Sequence, residues 1–320
     1  MRRVVVTDSN FPALDREQTA TVAEGAEFAP HQCRTEAEVE SALRNADVAV
    51  VQFAPVTAAA IEAMAPGGRL IRYGVGFNNI DVVAARTSGR DVAYVPDYCT
   101  DEVADHTASL ALALCRQVTA FDNDVRAGRW GVQYLPREIA PPGKMTVGLL
   151  GLGRIGRATL ARLAPFGFSF LVSDPALSAV EAASLGVAPA DRSTLLAQAD
   201  LVILHLPLTD GTHHAIDAAA LRRMKRGALL VNTSRGGLID EAALAKALSN
   251  GHLGGAALDV FEAEPLDADS PLRRAPNLIL SPHAAWYSNA ALDRLQSLVA
   301  DEIARALQGL APRCPVPPQA

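Results

Sequence analysis

The chain has 320 residues, 49% of them hydrophobic and 20% charged, with a formal net charge of −6. That length predicts two globular domains, each with apolar residues enough for its own core. The mild acidity gives no support for nucleic-acid binding, and no apolar run approaches the ~18 residues of a membrane span.

The basic start Met1-Arg2-Arg3 leads into a short strand-like run and then Asp8. No signal peptide is expected there, and the plain reading is a cytoplasmic protein. Cys33, Cys99, Cys115 and Cys314 are scattered without metal-ligand spacing. Reduced thiols are expected, with no disulfide framework and no metal site.

The first 95 residues alternate short apolar runs with helical patterns. Residues 4–6, 48–51, 70–73 and 93–95 read as strands, and residues 35–43 and 58–64 as helices between them. Residues 101–120 form an Ala- and Leu-rich helical segment. Its Val103, Leu110, Leu112, Ala113 and Leu114 present more apolar surface than one packing face uses. A homodimer through the nucleotide-binding domain follows as an expectation, although a helix buried within one domain accounts for the same residues. Residues 128–143 read as a loop, and Trp130, Tyr134 and Leu135 within it fit an arm reaching a second subunit.

The next stretch is the most informative. An apolar run at 147–150 fits a buried strand, and Gly151, Gly153 and Gly156 then form G-x-G-x-x-G, with a helix over 154–163. Gly151 permits the tight turn, Gly153 the approach of a pyrophosphate, and Gly156 close helix–sheet packing. The helix N-terminus offers N–H groups and the positive end of its dipole to the phosphates. A second apolar run at 168–172 is followed by Asp174, whose carboxylate can accept from ribose hydroxyls and repels a 2′-phosphate. NAD is therefore expected as cofactor.

Strand patterns continue at 201–204, 228–231, 256–258 and 278–280, with helices over 221–225, 241–248 and 290–307. The tail from 311 to 320 holds four prolines and is expected to be mobile or extended. The fold predicted is α/β: two doubly wound parallel-sheet domains, a Rossmann domain (98–287) inserted into a flavodoxin-like substrate domain (1–97 with 288–320). The two crossovers are candidate hinges, and a cleft between such domains would enclose a small substrate.

Three polar segments follow strand ends: 231–237 with Arg235, 257–265 with Glu264, and 280–287 with His283. In a doubly wound sheet these would share the crevice beyond the carboxyl strand ends. Singly, Arg235 also fits a surface ion pair, Glu264 a solvated loop acid and His283 a capping or core residue. Together they fit hydride-transfer chemistry. Reduction of a ketone leaves negative charge on oxygen, so a proton donor is needed, and His283 can supply it. Glu264, hydrogen-bonded to the far ring nitrogen, would orient His283 and favour its protonated form. Arg235 can polarise the carbonyl and hold a carboxylate bidentately.

On these residues the chain resembles the D-isomer-specific 2-hydroxyacid dehydrogenase family. The resemblance runs from Tyr73-Gly74-Val75-Gly76-Phe77-Asn78-Asn79-Ile80-Asp81 to Pro282-His283, and is most specific in the blocks 232–241 and 255–265. It implies that Arg235, Glu264 and His283 are catalytic. It also implies cofactor contacts at Thr107, Gly151, Gly153, Arg154, Ile155, Gly156, Asp174, His205, Leu206, Pro207, Thr212, Thr233, Ser234, Arg235 and His283, with Asp259 beside the nicotinamide carboxamide. Val75 and Gly76 match the amide cradle for the substrate carboxylate.

Within the family, His283-Ala284-Ala285-Trp286-Tyr287-Ser288 and Arg72-Tyr73-Gly74-Val75-Gly76-Phe77 resemble the C-terminal binding protein branch, in which Arg72 matches a substrate-carboxylate arginine. Leu206-Pro207 resembles the ordinary dehydrogenases instead.

The function expected is an NAD-dependent oxidoreductase interconverting a 2-oxoacid and a D-2-hydroxyacid. Its alternative is an NAD(H)-sensing interaction protein of the C-terminal binding protein type. An L-specific lactate-type enzyme fits poorly, because its nucleotide domain would normally begin the chain. Trp286, three residues beyond His283, is expected to wall the substrate pocket, with a core position at the domain junction as the other reading.

Overall fold

The computed structural model describes residues 1–132 and 139–317. The chain divides into two compact units, residues 1–99 with 288–320, and residues 100–287.

The first unit is built on strands β1 (Arg3–Val6), β2 (Glu27–Pro30), β3 (Val48–Val51), β4 (Arg69–Arg72) and β5 (Asp91–Tyr94). They are all parallel, in the order β2-β1-β3-β4-β5. That order is the flavodoxin-like one. Helices α1 (Asp15–Ala23), α2 (Glu36–Leu43), α3 (Ala58–Ala63) and α4 (Val82–Thr87) connect the strands. β3 reads Val-Ala-Val-Val and is buried along its length, as expected of a strand covered on both faces. On one face Val5, Ala49, Val51 and Leu70 pack with Val39 and Leu43 of α2 and Ile61 of α3. Thr35-x-x-Glu38 starts α2 as a reciprocal capping box.

Three elements here, α1, β2 and α4, were not read from the sequence. α1 reads Asp-Arg-Glu-Gln-Thr-Ala-Thr-Val-Ala, and its buried positions are Glu17 and Thr21, so it has no apolar stripe. Glu17 accepts a 2.7 Å hydrogen bond from the Tyr73 hydroxyl. Burial nevertheless pushes its carboxyl above the ordinary range, against that bond and the contact with Gln296. Of the two readings of the tail, mobile or extended, residues 315–316 take the extended one. Pro315 bridges Ala93 in antiparallel fashion, Val316 N donates to Val92 O at 2.8 Å, and Val316 is buried.

The second unit begins with α5 (Thr100–Cys115) and α6 (Val118–Arg126). The single helix expected over 101–120 is thus two helices, separated where Gln117 takes a left-handed φ of 52°. Seven parallel strands follow: β6 (Thr146–Leu150), β7 (Ser169–Ser173), β8 (Ala188–Pro189), β9 (Leu201–Leu204), β10 (Leu229–Asn232), β11 (Gly255–Leu258) and β12 (Leu278–Leu280). The intervening helices are α7 (Arg154–Leu163), α8 (Ala179–Leu185), α9 (Arg192–Gln198), α10 (Ala218–Arg223) and α11 (Glu241–Ser249). The last helix, α12 (Asn289–Leu307), belongs to the first unit.

The strand order is β12-β11-β10-β9-β6-β7-β8, the doubly wound arrangement with its reversal between β6 and β9. Alternate residues of each strand feed two cores on opposite faces. Leu150, Val202, Leu204, Leu230 and Leu258 join one with Leu195 of α9 and Leu244 of α11. Val147, Leu149, Leu201, Ile203 and Val231 join the other with Leu160 of α7 and Leu110 and Leu114 of α5. The apolar residues of α5 that suggested a dimer are therefore largely used inside this unit. Tyr134 and Leu135 lie outside the described residues. No helix among the described residues is long and apolar enough to cross a membrane.

Candidate active site

The register of the second sheet sets the site. Asn232 of β10 pairs with Leu204 of β9 and Leu258 of β11, and Leu258 pairs with Leu280 of β12. Four neighbouring strands therefore end level, and the segments bearing His205, Arg235, Glu264 and His283 all leave the same carboxyl edge.

The glycine turn leaves β6 at that edge. Gly151 has φ +94°, and a Cβ there would lie 2.3 Å from the His205 carbonyl oxygen. No other residue fits this turn without moving the chain after β9. A Cβ on Gly156 would lie 2.7 Å from the Gly151 oxygen, whereas one on Gly153 would meet nothing within 4 Å. Space is thus closed beneath the turn and open above it. Gly153 is the N-cap of α7, and no side chain caps that helix. Such an N-terminus suits an anion, so the turn fits the pyrophosphate of a dinucleotide, with Arg154 and Ile155 in the first helical turn.

Asp174 follows β7 directly. Its Oδ2 accepts from Leu152 N at 2.6 Å and its Oδ1 from Ala176 N at 2.8 Å. The carboxylate is thereby fixed beside the glycine turn, where a ribose is expected.

His205 sits below the same turn. Its Nε2 is buried with no partner, and burial holds the ring down to about 4, so it is neutral near pH 7. The 207–212 segment is folded by Thr212, whose hydroxyl donates to Pro207 O at 2.6 Å and accepts from Thr209 N at 2.8 Å. Thr107 of α5 meets Thr233 through a buried 2.7 Å hydroxyl pair, which ties α5 to the turn after β10.

That turn presents Arg235. Asn232 Oδ1 accepts from Ser234 N at 3.0 Å, Asn232 Nδ2 donates to Arg235 O at 2.8 Å, and Ser234 Oγ donates to Leu204 O at 2.7 Å. Asn232 itself is fully buried. Next comes the tightest contact of the site: a Cβ on Gly236 would lie 1.8 Å from the Phe261 carbonyl carbon and 2.4 Å from Glu262 N. The Arg235 turn therefore lies backbone-to-backbone on the turn that carries Glu264.

Glu264 and His283 form a pair, with Nδ1 and Oε2 2.7 Å apart. The other carboxylate oxygen accepts from Phe261 N at 3.0 Å. Burial works to raise the Glu264 pKa, but the His283 hydrogen bond and charge, the Phe261 N–H and the Arg235 charge outweigh it. The carboxyl is held below its ordinary range. With Nδ1 engaged, Nε2 is the nitrogen through which His283 can exchange a proton. The structure thus brings Arg235, Glu264 and His283 to one place.

His283 stands in a left-handed conformation, φ 53°, and Asp259 holds it there. Asp259, 0% exposed, accepts from Ser281 Oγ at 2.6 Å, Ala284 N at 2.9 Å and Ala285 N at 2.9 Å. Its backbone oxygen accepts from His283 N at 2.7 Å. Ser281 gives its one hydroxyl proton to Asp259, so His106 Nε2, 3.1 Å from Ser281 Oγ, is the donor in that contact. The carboxylate that the resemblance places on the nicotinamide side also builds the turn that carries His283. Sequence reasoning missed the supports His106, Ser281 and Asn232, as well as the close approach at Gly236. Each is an ordinary residue in sequence and gains meaning only from its neighbour in space.

Arg72, Val75 and Gly76 belong to the first unit. Arg72 ends β4, and its Nε donates to Asn79 Oδ1 at 3.2 Å, while Asn79 Nδ2 donates to Ala54 O at 3.0 Å. Val75 and Gly76 are half-buried in the turn beyond β4. Trp286 is half-buried in the second unit, edge-on to Tyr287 with ring centroids 5.5 Å apart.

The second unit is built as a nicotinamide-dependent oxidoreductase builds its cofactor domain, with the hydrogen-bonded His283–Glu264 pair at the same strand edge. Residues 108–285 match the family described as D-isomer specific 2-hydroxyacid dehydrogenase, NAD binding domain. The chain is 40% identical over 261 residues to a glyoxylate reductase of Korarchaeum cryptofilum (strain OPF8), a match covering 81% of this chain and 78% of that protein. The chain belongs to the D-isomer specific 2-hydroxyacid dehydrogenase family, and its cofactor is NAD.

It is also 40% identical over 271 residues to D-3-phosphoglycerate dehydrogenase of Mycobacterium tuberculosis (strain CDC 1551 / Oshkosh), spanning 84% of this chain and 51% of that longer protein. Among solved structures, a glyoxylate reductase from Paecilomyes thermophila is similar with a TM-score of 0.87 at 25% identity, covering 99% of this chain and 98% of that one.

Proposed function

We propose that this enzyme reduces a 2-oxoacid to the D-2-hydroxyacid, and runs the reverse oxidation, with His283 as the acid–base. The observation that carries this reading is the 2.7 Å contact between His283 Nδ1 and Glu264. It fixes the ring and leaves Nε2 for the substrate oxygen. When bound, NADH supplies a hydride to the carbonyl carbon. His283 donates a proton to the oxygen as charge develops there, and in oxidation takes the hydroxyl proton back. Glu264 holds the ring in place and balances its positive charge. Arg235 binds the carbonyl oxygen and the carboxylate. Arg72, with its guanidinium held by Asn79, is a further proposed contact for the carboxylate.

An NADH-oxidation screen over 2-oxoacids of graded side-chain size tests this. Turnover on at least one is expected. Tight NADH binding without turnover on any would instead support an NAD(H)-sensing protein of the C-terminal binding protein type. That second reading rests on residues 283–288 and 72–77, and it is less favoured because the similar proteins are reductases and dehydrogenases.

NADH is expected to be preferred over NADPH. A 2′-phosphate would meet the fixed Asp174 carboxylate, and Pro175 and Ala176 follow it with no charge to offer. Comparable kcat/KM for the two cofactors would overturn this, and Asp174→Ala should narrow the difference.

Trp286 is proposed to select the substrate side chain. A medium apolar group gains ~25 cal/mol per Å² buried against the ring. A thioether or branched 2-oxoacid such as 4-methylthio-2-oxobutanoate is therefore expected to outperform glyoxylate. Glyoxylate belongs in the panel because it is the named substrate of similar proteins. Trp286→Ala should weaken the larger substrates and spare glyoxylate. Equal losses for both, or a strong native preference for glyoxylate, would make Trp286 structural.

A homodimer is proposed through α6 rather than α5. No residue of α6 is buried, and Val118, Val125, Trp130 and Val132 are all exposed. Exposed apolar side chains concentrated in one stretch of chain favour a protein partner. Sedimentation at micromolar concentration should show a dimer, and a monomer would refute it.

A further inference from the structure

Near the active site, but outside the residues given roles above, the turn beyond β9 meets the turn beyond β11. We propose that His213, His214 and Glu262, brought together by these two turns, form a binding site for one divalent late-transition metal ion such as Zn2+.

One ligating atom from each of the three residues lies within 4.8 Å of the others. The two imidazoles stack with centroids 4.0 Å apart and planes at 24°. His214 Nε2 already contacts Glu262 Oε1. Two imidazoles and one carboxylate are a zinc donor set with an open fourth position. Metal–ligand bonds of ~2.0–2.2 Å bring tetrahedral donors to roughly 3.3 Å apart. Rotations of side chains at the surface can close the remaining gap.

The backbone around the cluster is held. His214 has a left-handed φ of 48°, sparsely populated for a residue with a Cβ. Its N–H donates to Gly237 O at 2.8 Å. Glu262 N donates to Glu241 Oε1 at 2.8 Å. Glu241 and Glu262 thus lie side by side at this edge, and a bound cation offsets part of their charge.

An ion here would tie the segment after β9 to residues 261–264, which include the Phe261 N–H that holds Glu264. The site remains distinct from the catalytic pair, because it uses neither His283 nor Glu264.

The test is equilibrium dialysis of untagged, chelator-treated full-length protein against Zn2+. One equivalent is expected in the parent and in His283→Ala. At least tenfold weaker binding is expected in His213→Ala and in Glu262→Gln, both exposed substitutions. Zn2+ should raise the Tm of the parent and leave that of His213→Ala unchanged, since only an ion bound to the native site stabilises it. Binding that survives in His213→Ala and Glu262→Gln would overturn the site, as would its loss in His283→Ala with retention in His213→Ala. Absence of binding to the parent would also overturn it. Metal-free His213→Ala should turn over 2-oxoacids as the parent does, which separates a failed metal site from a failed catalytic assignment.

Discussion

His283→Ala is expected to lose about 10²–10⁴-fold in kcat for 2-oxoacid reduction, the range typical of a general acid. NADH affinity, followed by fluorescence titration, should survive. The glycine turn, Asp174 and the α7 N-terminus are formed without this ring. A loss of NADH binding equal to the loss of kcat would make His283 a structural residue of the cofactor site.

Glu264→Gln checks the pair from the other side. Reduction consumes the protonated ring, so it falls away as pH rises. Glu264 is held below its ordinary range, against its own burial, by the hydrogen bond and charge of His283 together with Phe261 N–H and Arg235. The 2.7 Å contact sets a carboxylate charge against an imidazole nitrogen, and taking away a negative charge at that distance disfavours a cation beside it. The substituted amide carries no charge, and reduction should fall away at a lower pH than in the parent. An unchanged pH profile would break the proposed pair.

Gly236→Ala is expected to damage stability and catalysis together. The added Cβ would lie 1.8 Å from the Phe261 carbonyl carbon and 2.0 Å from its oxygen. Both partners are backbone, so no rotamer relieves the collision, and one of the two turns must move. Overpacking of this kind costs about 1–3 kcal/mol or more. For a folding unit of this size each kcal/mol lowers Tm by roughly 2–4 °C. The displaced turn carries Phe261 N, the donor to Glu264, so kcat should fall by at least about tenfold, each 1.36 kcal/mol of lost transition-state stabilisation being a factor of ten. Calorimetry and steady-state kinetics check both arms. A variant with parental Tm and kcat would show that the two turns separate freely and that their contact does not position Glu264.

Much of the second unit was legible because its central strands are buried on both faces. Such strands are unbroken apolar runs, and residues 201–204 appear in the structure as β9 with the bounds read from sequence. The edge strand β12 is only partly buried but keeps an apolar run, and it too has the bounds read from sequence, 278–280. The glycine turn was legible for a different reason: each glycine answers a local steric demand. The first unit was less so. α1 buries Glu17 and Thr21 instead of an apolar stripe, so its periodicity carries no signal. The break at Gln117 uses a left-handed residue that is neither Gly nor Asn, so no punctuation marks it. The docking of Val316 depends on an open edge at β5, which exists only once the sheet is assembled.

Arg235, Glu264 and His283 could each be picked out as polar residues just beyond apolar runs. Their order along the chain, with the turns between, fixes which strand edge each one leaves. Their chemistry was decided by register: parallel pairing of β10, β11 and β12 sets three carboxyl ends level, and residues 19 apart in sequence meet at 2.7 Å. The same pairing lays Gly236 on Phe261, stretches Asp259 across to the turn of His283, and brings His213 and His214 to Glu262, with His214 and Glu262 48 residues apart. Composition, strand runs and the glycine turn are local properties, and the sequence by itself determined them. Contacts between turns from different strands follow from sheet order and backbone hydrogen bonding, which no single segment encodes, so only the tertiary structure decided them.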